Sequence, residues 1–170
     1  MVRSILVLVF SFIFSMVSGQ GSYATIQQEI KGNLNSVLDL TLIPQNNLNI
    51  SFVNTNEFEN GKTILAATVL KIIATRKWVI SAKTLSPTFT PLSLNASNNM
   101  PSSVLSIKES KSSNFIPLSS QSPASQIASG TIGDALATGH ELKIDYLFKP
   151  GLTFAPGVYS IDLLFTITAF

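Results

Sequence analysis

The chain has 170 residues, of which 45% are hydrophobic and only 12% charged, with a net charge of +2 and no cysteine. So small a charge surplus gives no basic surface for nucleic acid or for an anionic membrane. The lack of cysteine excludes thiol catalysis, haem-attachment motifs and cysteine metal sites, so burial and hydrogen bonding must hold the fold together.

The first 19 residues have the pattern of a secretory signal peptide. Arg3 supplies a positive charge, an apolar stretch follows over residues 5–17, and small residues precede the expected cleavage after Gly19. The apolar stretch is short for a membrane span, although an uncleaved N-terminal anchor is the alternative. We predict a secreted or cell-surface protein with one domain over residues 20–170 and no integral membrane span after cleavage.

The segment that follows, residues 24–38, fits either a strand or a helix. Gly32 and several asparagines weaken the helix, so we favour a strand. Its apolar face consists of alternate residues, interrupted by Gln28: Ala24, Ile26, Ile30, Gly32 and Leu34. The simpler interpretation makes this the domain's own first strand, and the other makes it a strand-exchange segment donated to another copy.

Short alternating runs predict most of the remaining elements. The clearest strands are expected over residues 36–43, 48–53, 67–75, 78–84, 104–110 and 141–148. Only Arg76 and Lys77 separate two of them, which predicts a hairpin. Asn60-Gly61 predicts a tight turn. Trp78 is expected in the core, with Phe148 as a neighbour.

The middle of the chain differs in composition. From about residue 85 to 132 it is rich in serine, asparagine and proline. Because proline removes a ladder donor, this region predicts long loops and edge strands. Residues 128–141 are glycine-rich and have room for one short helical turn.

The C-terminal run alternates after a Pro156-Gly157 step. One parity forms a predicted core face: Tyr159, Ile161, Leu163, Phe165 and Ile167. Such a strand suits a soluble sandwich, a pilus subunit or the closing strand of an outer-membrane barrel. Phe170 lies on the other parity, which disfavours the barrel because an offset of one residue reverses the face of a strand.

The pattern as a whole predicts an all-β protein. Short strands separated by turn signals, without a helix of three or more turns, are typical of an Ig-like Greek-key β-sandwich of seven to nine strands.

Two stretches carry a resemblance to a known type of protein. "APGVYSIDLLFTITA" resembles the closing strand of secreted pilin-like and spore-coat-U-like proteins, and "VNTNEFENGKT" followed by "WVISAKT" is similar to surface β-sandwich proteins of that broad type. The resemblance implies an Ig-like sandwich exported across a membrane, either a filament subunit or a surface component.

Catalytic and metal-binding patterns are weak. His140 is the only histidine, and beside Glu141 it reads as a solvated loop residue rather than a base or ligand. Glu57 and Glu59 flank Phe58 just before Asn60-Gly61; two carboxylates at this spacing could bind calcium together with loop carbonyls, but solvated residues of a turn are the favoured interpretation. No G-x-S-x-G elbow or phosphate-binding loop occurs. We predict no catalytic, cofactor or metal residues and no cofactor.

These observations favour a non-enzymatic, secreted structural or adhesive cell-surface protein of the pilin-like filament type. The expected partners are other copies, through strand exchange, or other cell-surface proteins, and not nucleic acid. The main alternative is a soluble β-sandwich module that binds carbohydrate or another ligand, and a small outer-membrane barrel is the least favoured.

Overall fold

A computed structural model describes residues 29–43, 48–131 and 140–170. The predicted signal peptide lies outside these residues. The chain divides into two units between Asn33 and Leu34. In the first unit, residues 29–33 are exposed and outside regular secondary structure. The second unit contains every element described below.

The second unit is mostly β, as predicted. Its elements are β1 (Leu38–Ile43), α1 (Thr55–Asn60), β2 (Lys62–Ala74), β3 (Trp78–Thr84), β4 (Thr90–Pro91), a 3-10 helix (Ser102–Val104), β5 (Leu105–Glu109), β6 (Ile116–Pro117), β7 (Ser125–Gly130), β8 (His140–Phe148), β9 (Tyr159–Ser160) and β10 (Leu163–Ala169). Within the described ranges, no helix is both long and apolar enough to cross a membrane.

The strands form three antiparallel sheets. A five-stranded sheet has the order β1-β2-β8-β5-β6, a three-stranded sheet has the order β10-β3-β7, and β4 pairs with β9. The apolar faces of the two larger sheets contribute to one core. The largest fully buried apolar side chains come from alternate positions, as a period of two requires: Leu70, Ile72, Trp78, Ile80, Ile107, Leu142, Ile144 and Tyr146.

Trp78 is buried, with 2% of its surface exposed, which confirms the prediction that it belongs to the core. Its ring lies 6.2 Å from that of His140, the first residue of β8. Phe148 ends the same strand, and a strand of that length spans about 30 Å. The predicted proximity of Trp78 and Phe148 is therefore wrong, because the two rings lie at opposite ends of β8.

The predicted hairpin over residues 67–84 is also wrong. β2 pairs with β1 and β8, whereas β3 pairs with β10 and β7, so the two strands belong to different sheets. The short link at residues 75–77 carries the chain across the core. Both strands place an apolar face in the same core from opposite sides, and pairing as a hairpin would have put them side by side.

Residues 48–53 lie outside regular secondary structure, although their alternation predicted a strand. The expected turn at Asn60-Gly61 is instead the end of α1, where the Gly61 N–H donates to the Glu57 carbonyl at 2.8 Å. The φ of Gly61 is +81°, a conformation that favours glycine. Asn60-Gly61, which is common in hairpin turns, therefore ends a helix in this protein. The same helix is capped at its start by the Asn54 side chain.

The serine- and proline-rich middle supplies short strands and loops. β6 and β7 are edge strands of their sheets, whereas β5 lies between β8 and β6. Of the glycine-rich stretch that was expected to hold a helical turn, residues 132–139 lie outside the described part of the chain.

Candidate functional site

β10 is an edge strand of the three-stranded sheet. β10 pairs with β3 along its whole length, from Leu163 opposite Thr84 to Ala169 opposite Trp78. On its other side, no strand in the described part of the chain pairs with it. β10 therefore presents one row of backbone groups without a strand partner.

The register shows which backbone groups face that free edge. The Leu85 N–H donates to the Asp162 carbonyl at 3.0 Å, and the Phe170 N–H donates to the Lys77 carbonyl at 3.1 Å. In an antiparallel ladder, hydrogen-bonded and non-hydrogen-bonded positions alternate. The even-numbered residues therefore bond to β3, and the N–H and C=O groups of Leu163, Phe165 and Ile167 point outward.

The side chains of these odd-numbered residues turn toward the core but do not reach full burial. The predicted core face is half-buried at every position: Tyr159, Ile161, Leu163, Phe165 and Ile167. On the paired strand, Trp78, Ile80 and Ala82 are at most 2% exposed. The difference shows that the space beside β10 is not filled to the density of the rest of the core.

The opposite wall of this space is β1, the edge strand of the other sheet. The Thr75 N–H donates to the Val37 carbonyl at 3.0 Å, so the odd-numbered residues of β1 bond to β2 and the even-numbered ones face outward. Leu38, Leu40 and Leu42 share the inward face with buried residues of β2. Leu38 is nevertheless 39% exposed and Leu42 57% exposed.

An open groove lies between these two edges. It has a volume of about 700 Å³, and its lining includes Leu42, residues 48–51, residues 159–161, Leu163 and Phe165. The rest of the lining comes from β2, β5, β8 and the segment around β4: Thr68, Phe89, Leu92, Leu105, Tyr146 and Phe148. The two edge strands contribute Leu42 from β1 and Leu163 and Phe165 from β10 to this lining. Such a groove suits an extended peptide, which would supply backbone hydrogen bonds to the edge and apolar side chains to the gap.

A smaller aromatic pocket of about 320 Å³ adjoins the groove and shares residues 50–51, Phe148 and Tyr159 with it. Phe52 packs against Phe58 at 5.1 Å and against Phe148 at 5.3 Å between ring centroids. This pocket was not predicted from the sequence, because its rings come from a loop, a short helix and the end of β8.

Local hydrogen bonds fix the helix that carries Phe58. The Asn54 side chain accepts from the Glu57 N–H at 3.0 Å, and the Glu57 carboxylate accepts from the Val53 N–H at 2.9 Å. These two bonds form a reciprocal cap. Lys62 donates to the Ser51 carbonyl at 2.9 Å and lies 3.6 Å from the Glu57 carboxylate. Glu57 therefore caps the helix, and the two carboxylates considered for a calcium site, Glu57 and Glu59, lie on α1 rather than on a strand.

Asp145 is the one charged side chain that is buried within the described residues, at 2% exposure. It lies on the outer face of β8, where a register shift in β2 brings the Ala66 N–H to its carboxylate at 2.8 Å. The Ser110 hydroxyl donates to it at 2.5 Å, and the Lys108 ammonium lies 3.6 Å away.

The groups around Asp145 lower the pKa of its carboxyl. Burial raises the pKa of its carboxyl, but the Ala66 N–H, the Ser110 hydroxyl and the Lys108 charge together outweigh burial and hold the pKa below its ordinary value. The carboxylate is thus ionised and occupied by donors. This arrangement ties β2, β5 and β8 together.

His140 opens β8 beside the buried Trp78 ring rather than lying in a loop. Asp145, five residues along the strand, is engaged elsewhere. No group of three or more histidine, cysteine, aspartate or glutamate side chains in the described ranges is arranged to hold a metal ion. The structure does not bring the candidate acid–base residues together.

The residues of the predicted strand-exchange segment are placed only in part. Ala24 and Ile26 lie outside the described residues. Ile30 is 86% exposed, Leu34 is 95% exposed, and no atom lies within 4 Å of a Cβ built on Gly32. These three residues belong to no strand or helix.

Comparisons with known proteins add no functional information to this geometry. A scan against protein-family models finds no matching family, and a search of curated proteins finds no similar sequence. The functional assignment therefore depends on the groove and its two open edges.

Proposed function

We propose that the protein is an exported, non-enzymatic structural or adhesive component of the cell surface, of the pilin-like filament type. In this proposal its two larger sheets form an Ig-like Greek-key sandwich that lacks one strand. Its function is to accept an extended apolar strand in the groove between β1 and β10. The observation that carries the proposal is the free edge of β10, whose apolar face is only half-buried.

The physical chemistry of edge strands supports this assignment. A long, flat and apolar edge is a template for pairing with another chain, and proteins usually blunt such edges with lysine, proline or a bulge. From Leu163 to Ala169, β10 contains no charged residue and no proline, and its ladder to β3 has no register shift. An edge left in this state is suited to pairing.

The occupation of the ionisable groups supports a non-enzymatic role. The carboxylate of Asp145 accepts from donors on two neighbouring strands, and Glu57 caps a helix. Neither group faces the groove. The groove offers an approaching molecule apolar surface and backbone hydrogen bonds, which suit binding rather than bond cleavage.

Blocking the groove from its more exposed wall tests the proposal. Leu42→Lys places a charge in the groove at a side chain that is 57% exposed, so the fold should tolerate it. Thr41→Lys places the same charge on the outer face of the same strand and is the matched control. We expect sedimentation and electron microscopy of the purified protein to show assemblies for the wild type and for Thr41→Lys, and monomers for Leu42→Lys.

Phe165→Lys and Thr166→Lys repeat the comparison on β10, where the first residue faces the groove and the second faces away. Circular dichroism and the unfolding midpoint check that each variant is folded. The proposal would be wrong if the wild type stayed monomeric at high concentration, or if both members of each pair assembled equally.

The aromatic pocket favours a second candidate, a soluble ligand-binding module. Its rings pack on one another, and its volume of about 320 Å³ suits a small apolar ligand better than a carbohydrate. Titration with a fluorescent apolar dye tests this, with Phe58→Ala as the variant. Saturable binding of one dye molecule to a stable monomer, lost in Phe58→Ala, would support the module over the filament subunit.

A further inference from the structure

We infer that the aromatic pocket binds a small, neutral compound of one or two fused aromatic rings. This inference rests on the second candidate function and deepens it, because it names the class of ligand that the pocket selects. It is carried by three features: hydrogen bonds hold the walls of the pocket in place, the described lining carries no charge, and its phenylalanine rings meet at angles that favour a further ring.

Hydrogen bonds join the segments that form the walls of the pocket. The Gly151 N–H donates to the Phe58 carbonyl at 3.1 Å, which fastens the loop after β8 to α1. The Ala155 N–H, farther along the same loop, donates to the Ser97 hydroxyl at 2.8 Å. A ligand therefore meets walls that are already in place, and little free energy is lost in ordering them.

Tyr159 offers a ligand its ring rather than its hydroxyl. The hydroxyl donates to the Ala155 carbonyl at 2.5 Å and accepts from the Ser97 N–H at 2.9 Å. The hydroxyl is thus used as donor and as acceptor within the protein. The part of Tyr159 that remains for a ligand is its aromatic surface.

The lining favours an uncharged ligand. None of the described residues that line the pocket has a charged side chain. Lys62, which donates to the Ser51 carbonyl, lies 3.6 Å from the Glu57 carboxylate, so this cation is already paired. A charged ligand would lose water in the pocket without gaining a partner of opposite charge.

The arrangement of the phenylalanine rings favours an aromatic ligand over an aliphatic one. Phe52 meets Phe148 edge to face, at 76° and 5.3 Å, and meets Phe58 at 39° and 5.1 Å between ring centroids. Phe89 stacks on Phe148 at 5.2 Å. Pairs of aromatic rings gain free energy beyond the area that they bury. A further ring that joins this cluster should therefore bind more tightly than a saturated ring of the same size.

The volume of the pocket limits the size of the ligand. Ligand sites in proteins have volumes of roughly 300–1,000 Å³. This pocket, at about 320 Å³, lies at the lower end of that range. One or two fused rings suit this volume, whereas a long-chain lipid would project out of it.

Two compounds with the same carbon skeleton test the preference for an aromatic ring. 2-Naphthol has two fused aromatic rings, and decahydro-2-naphthol is its saturated counterpart with the same hydroxyl. Isothermal titration calorimetry of the purified protein measures the affinity for each compound. We expect one 2-naphthol to bind per chain, with a Kd about fivefold lower than that of decahydro-2-naphthol.

Phenylalanine-to-leucine variants locate the site, because leucine keeps an apolar side chain and removes the ring. Phe52→Leu and, as a second variant, Phe154→Leu should bring the two affinities to within about twofold of each other. Phe170→Leu is the matched control and should keep the preference, since Phe170 is outside the pocket lining and is 65% exposed. Circular dichroism and the unfolding midpoint check that each variant is folded.

The remaining outcomes overturn the inference. Equal affinities of the wild type for the two compounds would show that the pocket selects apolar volume alone, and the inference fails while the second candidate function stands. If neither compound shows saturable binding, both fail. A preference that survives in both Phe52→Leu and Phe154→Leu, or that is lost in Phe165→Leu instead, would place the aromatic ligand outside the pocket and overturn the inference.

Discussion

β3 and β10 are neighbours in one sheet, and both alternate apolar and polar residues, yet only one of them is part of a closed core. Ile80 on β3 is 0% exposed, whereas Ile167, directly opposite it on β10, is half-buried. The two residues have the same side chain, the same parity and the same sheet. Their difference comes from position, because β3 has a strand on each side and β10 has a described strand on one side only.

This comparison separates two properties of the molecule. The closed region, built on β2, β3, β5 and β8, carries nearly all of the fully buried apolar residues and therefore most of the free energy of unfolding. The open region, at β1 and β10, carries apolar side chains that remain partly exposed to solvent in the isolated chain. Stability and assembly can thus be changed independently, and the following substitutions test that separation.

The largest loss of stability is expected in the closed region at Trp78. Trp78→Ala removes the largest fully buried side chain and should lower the free energy of unfolding by about 3–5 kcal/mol. Urea unfolding monitored by far-UV circular dichroism measures this loss. A fully stable Trp78→Ala protein that had lost binding of a glycan would instead assign this residue to a binding surface.

The opposed isoleucines give the most direct comparison. Ile80→Ala should cost about 4 kcal/mol, and Ile167→Ala about 1–2 kcal/mol in the monomer, because the second side chain is only half removed from water. In assembled protein the cost at Ile167 should rise toward that at Ile80, as a donated strand covers it. Equal costs in the monomer would contradict the open edge.

Substitution of Asp145 tests how much its buried hydrogen bonds and its ion pair with Lys108 stabilise the closed region. Asp145→Ala leaves the Ala66 N–H and the Lys108 charge without their carboxylate, and should cost about 3 kcal/mol. Assembly of the folded fraction should be unchanged, because Asp145 lies outside the groove. Loss of assembly without loss of stability would contradict this placement.

The same residue predicts a pH dependence. Its pKa in the folded protein is held below the ordinary 3.8, so its stabilising effect is complete above that value and is lost as the pH falls through the lower folded pKa. Asp145→Asn should therefore be less stable than the wild type at pH 7, and the difference should shrink as the pH falls below about 4. Urea unfolding at a series of pH values measures it. A constant difference would exclude an ionised Asp145 as its source.

Two glycines near the aromatic pocket give the smallest expected effect. Gly61 and Gly151 have φ angles of +81° and +71°, but a Cβ on Gly61 would lie 2.9 Å from the Lys149 Cβ, whereas one on Gly151 meets nothing within 4 Å. Both alanine variants carry about 1 kcal/mol of backbone strain, and Gly61→Ala should lose about 1 kcal/mol more through the contact. Thermal unfolding measures the difference, and equal losses would contradict the close approach.

Much of the fold could be predicted from single strands. Their alternation predicted β1, β5 and β8 and the burial of Trp78, because a period of two is a local property of the chain. The predictions that failed concern which strands pair with each other. The link at residues 75–77 is as short as a hairpin turn but crosses between sheets, and residues 48–53 alternate without pairing.

The sequence predicts which residues of β10 face the core, but not how far these side chains remain exposed to solvent. The core parity of β10 is visible in the sequence, whereas the half-exposure of Phe165 depends on what lies beside it. The burial of Asp145 was not predicted from the sequence. A register shift between Ile64 and Thr68, which no local pattern announces, brings the Ala66 N–H over it.

The sequence by itself determined the β-rich class of this protein and the parity of its strands, since both follow from the alternation of side chains along an extended backbone. Only the tertiary structure decided which strands are neighbours and which edge has none. Those features depend on contacts between residues far apart in the chain, such as Leu38 with Ala74 and Ala169 with Trp78. The groove is another such feature, since its lining brings together residues as far apart in the chain as Leu42 and Phe165.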